Sequence, residues 1–583
     1  MRQGPHPSSI FDLLAHAGIP VRMISLWIAP LAFLALFYFY PLGSILQMSF
    51  ARSKGQWAAP LLEAITSPTE RGILWFTIWQ ATLSTLLTLL VGIPGAYLLA
   101  RYDFRGKSLL KALTGIPFVM PTMVVAAAFN ALLGPHGWIN LALISVFHLP
   151  TPPIQFINSL TAILIAHIFY NTTIILRVVG DFWSHLDPRL GQAAQVLGAN
   201  RWQTLYRIIL PLLMPAIATA ALLVFIFDFT SFGVILVLGG PRFATLEVEI
   251  YYQTVSLFNL PLAAALSILQ LGSTLLLTIV YSRLAVHLSR PISLRPESYT
   301  HHKLLTWRSR LMAGGIMIIL LGLLTTPLVA LALRSVTGLE TVRGEQGLSI
   351  TGLTLDYYKE LSINRRESLF YTPPLTAIGI SLGYAAATVI LALTLGVPAA
   401  WSLARDSTSL TNRFLDPLLM LPLGTSAVTL GLGFIVALGH PPLNLRTSIL
   451  LIPLAHTLVA FPFVVRSLTP ALRSIRPRLR QAAAVMGAAP GQVFYFIDLP
   501  LIGRALLVAA TFAFAISLGE FGATALIARP EYPTLPIVIY RFLSQPGDIN
   551  QGQALALSTI LMVVCAGGML AIERLRIADV GEF

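Results

Sequence analysis

Apolar residues run through this chain in long blocks rather than short alternating strips. Blocks lie near 24–47, 73–100, 110–133, 157–179, 208–238 and 261–282, and again near 311–334, 373–404, 411–438, 447–470, 500–528 and 552–572. A helix needs about 20 apolar residues to cross the bilayer core. None of the blocks sustains a period-two alternation, which argues against a transmembrane barrel. The pattern predicts twelve membrane-spanning helices in two groups of six. The first twenty residues, MRQGPHPSSIFDLLAHAGIP, lack the compact basic start, apolar centre and small-residue cleavage site of a secretory signal. The block from Ile24 to Gln47 therefore reads as a retained first span.

Composition supports a membrane protein. Of the 583 residues, 56% are hydrophobic and only 11% charged, against about 25% charged in an ordinary soluble domain. A soluble globule could not cover itself with so few charges, and a disordered chain would not be so apolar. The 38 Lys and Arg against 24 Asp and Glu give a formal charge of +14. Such an excess can signal nucleic acid, but its distribution follows the positive-inside rule. Arg101, Arg105, Lys107 and Lys111 fall between spans two and three, and Arg177, Arg189, Arg201 and Arg207 between spans four and five. Arg283, Arg290, Arg295, Lys303, Arg308 and Arg310 separate the two groups, and Arg473, Arg476, Arg478 and Arg480 occupy the matching second loop. The alternate loops are poor in net positive charge: 134–156 has no Lys or Arg, and 335–372 balances its charges. The basic side, with both termini, is expected to be cytoplasmic. The single Cys565 excludes an intramolecular disulfide, a Cys-rich metal site and a CxxC redox pair.

The chain repeats itself. The stretch starting at Ala166 aligns with that starting at Ala455, an offset of 289 residues, placing His167 on His456, Arg177 on Arg466, Pro188 on Pro477, Gly198 on Gly487 and Pro211 on Pro500. The same offset carries Phe232-Gly233 onto Phe521-Gly522 and Thr245-Leu246 onto Thr534-Leu535. Upstream, GIPGAYLLAR at 92–101 matches GVPAAWSLAR at 396–405 at an offset of 304. Shared apolar composition does not explain Pro, Arg, Gln, His and Gly in fixed order; duplication does. Six spans per unit is even, so both units enter from the same side as parallel repeats about an axis along the membrane normal. The expected organisation is an all-α polytopic protein: a first repeat over 1–290, a basic joint over 291–310 and a second repeat over 311–583.

The most specific signal lies in the basic loop of each repeat. The first reads Gln192-Ala193-Ala194, three residues, Gly198, nine residues, Ile208, one residue, Leu210-Pro211; the second repeats the spacing with Gln481-Ala482-Ala483, Gly487, Ile497 and Leu499-Pro500. Pro188 suits a first helical turn, and Asp187 before it is a plausible N-cap. Arg476 is a poor cap for the matching helix at Pro477. The Ala pair leaves one helical face flat, and the Gly lets the chain turn back.

This pattern resembles the EAA loop of ABC-importer permeases, with Gln in place of the usual Glu in both copies. The resemblance implies that 186–207 and 475–496 are the docking elements for an ATP-binding subunit, with Gln192, Ala193, Ala194, Gly198, Gln481, Ala482, Ala483 and Gly487 as coupling residues. Ser517-Leu518-Gly519-Glu520-Phe521-Gly522-Ala523-Thr524 is similar to the LGEFGAT stretch of molybdate and sulfate permeases. Two six-helix halves in one chain look most like the iron(III) and thiamine permeases. The resemblance implies an ATPase dimer as a partner in trans and a periplasmic or extracellular substrate-binding protein at the outer face. ATP and Mg would sit on that ATPase, no cofactor is expected in this chain, and its home would be the cell (inner) membrane. The GKS triplet at Gly106-Lys107-Ser108 is no P-loop, because the required earlier Gly is Arg101.

Within the spans, Asp228 and Glu520 demand a reason, since a charge at mid-bilayer costs about 2.5–3.5 kcal/mol on insertion scales. The 289 offset sets Asp228 against Ser517 and Ser231 against Glu520. Asp228, Ser231, Ser517 and Glu520 are candidates for the translocation path or its gate, where an acidic lining would suit a cation such as thiamine or iron(III). The bland reading has the acids near helix ends, paired locally. His167 and His456 read as hydrogen-bonded packing residues, with a proton or metal role as the alternative. Phe37-Tyr38-Phe39-Tyr40 reads as an interfacial aromatic belt. No metal cluster or nucleophile-base set stands out, so the chain is not expected to be an enzyme. The rivals are an ion-gradient-driven secondary transporter and, for the substrate, a molybdate- or sulfate-type oxyanion.

Overall fold

A computed structural model describes residues 21–51, 62, 65–288, 302–303, 306–341, 348–363, 373–405, 410–439, 441 and 443–577. The first twenty residues, most of the joint and the last six residues lie outside them. The described residues are mostly helical, and their strands form two small pairings: Tyr102–Asp103 runs parallel to His302–Lys303, and Thr337–Thr341 pairs antiparallel with Leu348–Leu353. Among the described residues ten helices are long and apolar enough to cross a membrane, and twelve if each of two bent pairs is one span. This is the all-α polytopic architecture expected from the apolar blocks.

The third and fifth blocks of each repeat are not the continuous helices their hydropathy suggests. In the first repeat the third block divides into Lys107–Val119 and Thr122–Leu133. Met120 is extended ahead of Pro121, as a residue preceding proline tends to be. The matching pair Thr411–Gly424 and Ala427–Leu438 is bent by 95°. In the fifth block, Leu210–Phe229 stops at Thr230 and a π turn follows over Ile235–Gly239. Its counterpart Gly503–Gly519 stops at Glu520 before the short helix Gly522–Ile527. A wide π turn also precedes each Leu-Pro, at Leu205–Ile209 and Phe494–Asp498, positions related by the repeat. Pro211 and Pro500 have no N–H for the carbonyl four residues back, and the turn widens where that bond is missing.

Glycine explains the upstream part of the repeat. A Cβ on Gly92 would lie 2.7 Å from Ile175 Cβ, and one on Gly396 would lie 2.6 Å from Val464 Cγ1. Gly92 and Gly396 match at the 304 offset, and Ile175 and Val464 at 289. So in both repeats a small residue on the second long helix lets the fourth approach closely, the usual device for packing helices in lipid.

The chain forms two compact units: residues 1–47, 380–527 and 571–583 make one, and 48–379 with 528–570 make the other. In the first unit, Gly433 of the second repeat faces Pro41 and Ile45 from the N-terminal helix. Tyr38 there is 2% exposed and hydrogen-bonds Thr425 Oγ1 at 2.7 Å. It is a core residue, whereas Phe39 and Tyr40 remain exposed. The expected aromatic belt therefore loses a member: a π turn at Ala35–Phe39 places Tyr38 where its hydroxyl finds a buried partner. In the second unit, Leu320 from the helix Trp307–Arg334 meets Gly95, and Trp138 Nε1 donates to the Ala330 carbonyl at 3.3 Å.

Candidate coupling loops and buried histidine clusters

The first repeated loop folds as a short helix, Arg189–Val196. Asp187 Oδ1 accepts the Arg189 N–H at 2.9 Å, as expected of a cap, and Pro188 stands at the entry. The second, Pro477–Val485, has no side-chain bond from Arg476. Both helices end alike. Gly198 N–H donates to Gln195 O and Ala199 N–H to Ala194 O, each at 3.0 Å; Gly487 donates to Ala484 O and Ala488 to Ala483 O, also at 3.0 Å. These paired bonds define a Schellman stop. It needs a left-handed residue, and Gly198 and Gly487 have φ of +91° and +84°. A Cβ at either meets nothing within 4 Å, so backbone conformation, not crowding, requires glycine.

The motif's small residues divide by face. Ala194 and Ala483 are buried, while Gln192, Ala193, Gln481 and Ala482 are exposed. The residues before each glycine stand out further: Val196 and Leu197 are 87% and 88% exposed, Val485 and Met486 88% and 85%. Two apolar pairs at matching places outside the membrane spans mark interaction surfaces. The sequence reading missed them, although Val-Leu-Gly and Val-Met-Gly stand in register.

The two loops are anchored differently. Arg480 Nε donates to Asp498 Oδ1 at 2.7 Å, and Trp401 Nε1 to Asp498 Oδ2 at 2.9 Å. The Arg405 guanidinium lies 4.7 Å over the Trp401 ring. Asp498 is 1% exposed. At the matching positions the first repeat has Gly191 and Ile209, and a Cβ on Gly191 would touch Thr204 and Ile209. One joint is a charged latch and the other is apolar.

Each repeat buries its histidine with one acid and one serine. His167 Nε2 is 2.9 Å from Ser231 Oγ, and its Nδ1 is 3.3 Å from Asp228 Oδ1. Asn171 Nδ2 donates to that carboxylate at 2.6 Å, and Gln80 Nε2 to the Asp228 carbonyl at 2.9 Å. His456 Nδ1 is 2.8 Å from Ser517 Oγ; its Nε2 is 2.8 Å from Thr524 Oγ1 and 3.3 Å from Glu520 Oε2. Glu520 accepts the N–H groups of Ala523 and Thr524 at 2.7 and 3.1 Å, together with the Thr524 hydroxyl. The acid and serine exchange places between repeats, yet each histidine gains both. All four candidate pathway residues thus join buried clusters where the fifth span breaks, and each histidine is hydrogen-bonded within its cluster. Sequence reading did not connect them, because His167 and Asp228 meet only through tertiary packing.

Matching helix-and-glycine loops on a multi-span helical chain with an internal repeat fit a transport permease. Residues 92–293 match the family described as the inner-membrane component of binding-protein-dependent transport systems, and the chain belongs to that family. It is 30% identical to the thiamine transport system permease protein ThiP of Brucella abortus (strain 2308), over 86% of each chain. It is 26% identical to ThiP of Haemophilus influenzae, over 98% of this chain and 99% of that one. A probable ABC transporter permease, y4fN of Sinorhizobium fredii, is 26% identical over 89% of this chain and 90% of its own.

Proposed function

We propose that this chain is the fused permease of an ATP-driven thiamine importer, receiving solute from a substrate-binding protein and releasing it to the cytoplasm. The observation that carries the coupling is the pair of glycine-stopped helices, each ending in an exposed apolar pair. An ATP-binding cassette dimer would seat one helix per subunit, close on ATP and draw the loops together; hydrolysis would reset them. ATP and Mg belong to that partner. With Gln192 and Gln481 in place of the family's Glu, docking rests on hydrogen bonding and apolar contact rather than on a carboxylate at this position. Both termini and the 291–310 joint face the cytoplasm, and 1–290 and 311–583 are the duplicated units.

The substrate reading rests on the thiamine permeases similar to this chain over most of its length. The buried histidine clusters serve as braces at the breaks in the fifth spans rather than as a lining for solute. Co-purification with its ATP-binding cassette partner, followed by ATPase measurement with and without the loaded binding protein, tests the coupling. Stimulation is expected. A chain that moves solute without any ATPase, driven by an ion gradient alone, would overturn it.

A further inference from the structure

Tyr251 lies on the helix Leu246–Val255 and Tyr540 on the helix Leu535–Leu543. They are 289 residues apart and so occupy the same place in the repeat. Their side chains hydrogen-bond to each other. Residues related by a two-fold touch one another only at the axis, so this pair marks the local axis between the two helices. Each helix follows the fifth span of its repeat, which leads away from the coupling loop. Its start is tied to the bundle, with Leu246 N–H donating to Thr77 Oγ1 at 3.0 Å. On the first-repeat side the pair therefore lies at the end opposite the helix Arg189–Val196.

Its surroundings are aromatic and unequal. The Phe232 and Tyr252 rings lie 5.3 and 5.9 Å from the Tyr251 ring. Glu249 interacts with Tyr252 and accepts Gln253 Nε2 at 2.6 Å. The second-repeat counterparts of Glu249 and Tyr252 are Val538 and Arg541. Tyr251, Tyr252 and Tyr540 are half-buried, which leaves part of each ring open. Ring faces attract cations, and Glu249 adds charge on the first-repeat side only, while Arg541 disfavours a cation on the other.

We infer that Tyr251 and Tyr540 form an aromatic constriction across the solute path, closed by their hydroxyl bond, whose first-repeat side takes a flat organic cation as it passes. This rests on the thiamine reading for the ligand but not for the constriction. The test uses the full complex in liposomes, with Cys565→Ser as background and Tyr251→Cys with Tyr540→Cys added. Copper-catalysed oxidation should crosslink the pair without nucleotide. Crosslinking should fall several-fold after trapping with ATP and vanadate. The crosslinked complex should lose thiamine uptake at least tenfold and recover it with reductant. Separately, Tyr251→Leu with Tyr540→Leu should lower thiamine carried per ATP about fivefold, and the Phe pair should retain it. Absence of crosslinking, a yield indifferent to trapping, or full uptake by the crosslinked complex would each overturn the constriction. Trapping-sensitive crosslinks in a complex that never imports thiamine would instead refute the thiamine reading and the cation assignment that rests on it, leaving the constriction standing.

Discussion

Arg480→Ala isolates the latch on the second candidate coupling helix, Pro477–Val485. Asp498 would keep its Trp401 bond but lose the guanidinium at 2.7 Å, while remaining 1% exposed. Breaking a buried pair by removing one partner costs about 3–5 kcal/mol. The Arg480 side chain is 21% exposed, so water offsets part of the loss and the low end, about 3 kcal/mol, is expected. The helix is a surface element, so the cost should appear as local opening rather than global unfolding. At about 1.4 kcal/mol per decade, amide exchange across 477–488 should accelerate by about 100-fold. The first-repeat segment 189–199, held by Gly191 and Ile209, supplies an internal control and should not change. Arg480→Met with Asp498→Leu should return part of the protection, because replacing a buried ion pair by packed apolar groups of similar volume is often neutral, the remainder being lost with the acceptor of Trp401 Nε1. Mass-spectrometric hydrogen exchange on the purified complex reads all three. Unchanged exchange at 477–488 in Arg480→Ala would refute the latch.

Gly198→Ala and Gly487→Ala should each cost about 1–2 kcal/mol, the left-handed penalty for a residue with a Cβ, seen as faster exchange in the affected loop with membrane levels unchanged. Val196→Ser with Leu197→Ser, or Val485→Ser with Met486→Ser, should weaken ATPase retention at least tenfold in affinity purification without lowering the permease's melting temperature; undiminished retention would remove these pairs from the docking surface. Glu520→Ala should reduce transport more than membrane insertion, since it orphans the Ala523 and Thr524 N–H groups, each unsatisfied group costing about 1–3 kcal/mol. Glu520→Gln, which keeps an acceptor, should be milder, as judged by uptake at matched membrane levels.

How much was legible follows from the range of each interaction. The short helix and its glycine stop were readable because their requirements are local: Pro188 at a helix entry, Ala194 on a close-packed face, Gly198 at positive φ. The spans were readable because lipid demands long apolar helices. Their breaks at Thr230 and Glu520 were not, since apolar residues continue on both sides and no proline marks the place. The exchange of Asp228 and Ser231 for Ser517 and Glu520 shows in the sequence as an asymmetry between the repeats. Only the fold shows that a histidine from another helix collects the acid and serine in each repeat. Tyr38 was misread because it stands in a run of four aromatic residues, and nothing local says which ring turns toward Thr425.

The most direct measurement is uptake of radiolabelled thiamine into liposomes containing the permease with its ATPase, with ATP supplied on the ATPase side and thiamine-loaded binding protein on the other. The account predicts accumulation that requires both ATP and the binding protein, persists when ion gradients are collapsed, and is not displaced by excess molybdate or sulfate. Accumulation that vanishes with the ion gradient while ATP remains, or a complex that ignores thiamine and imports an oxyanion, would contradict it.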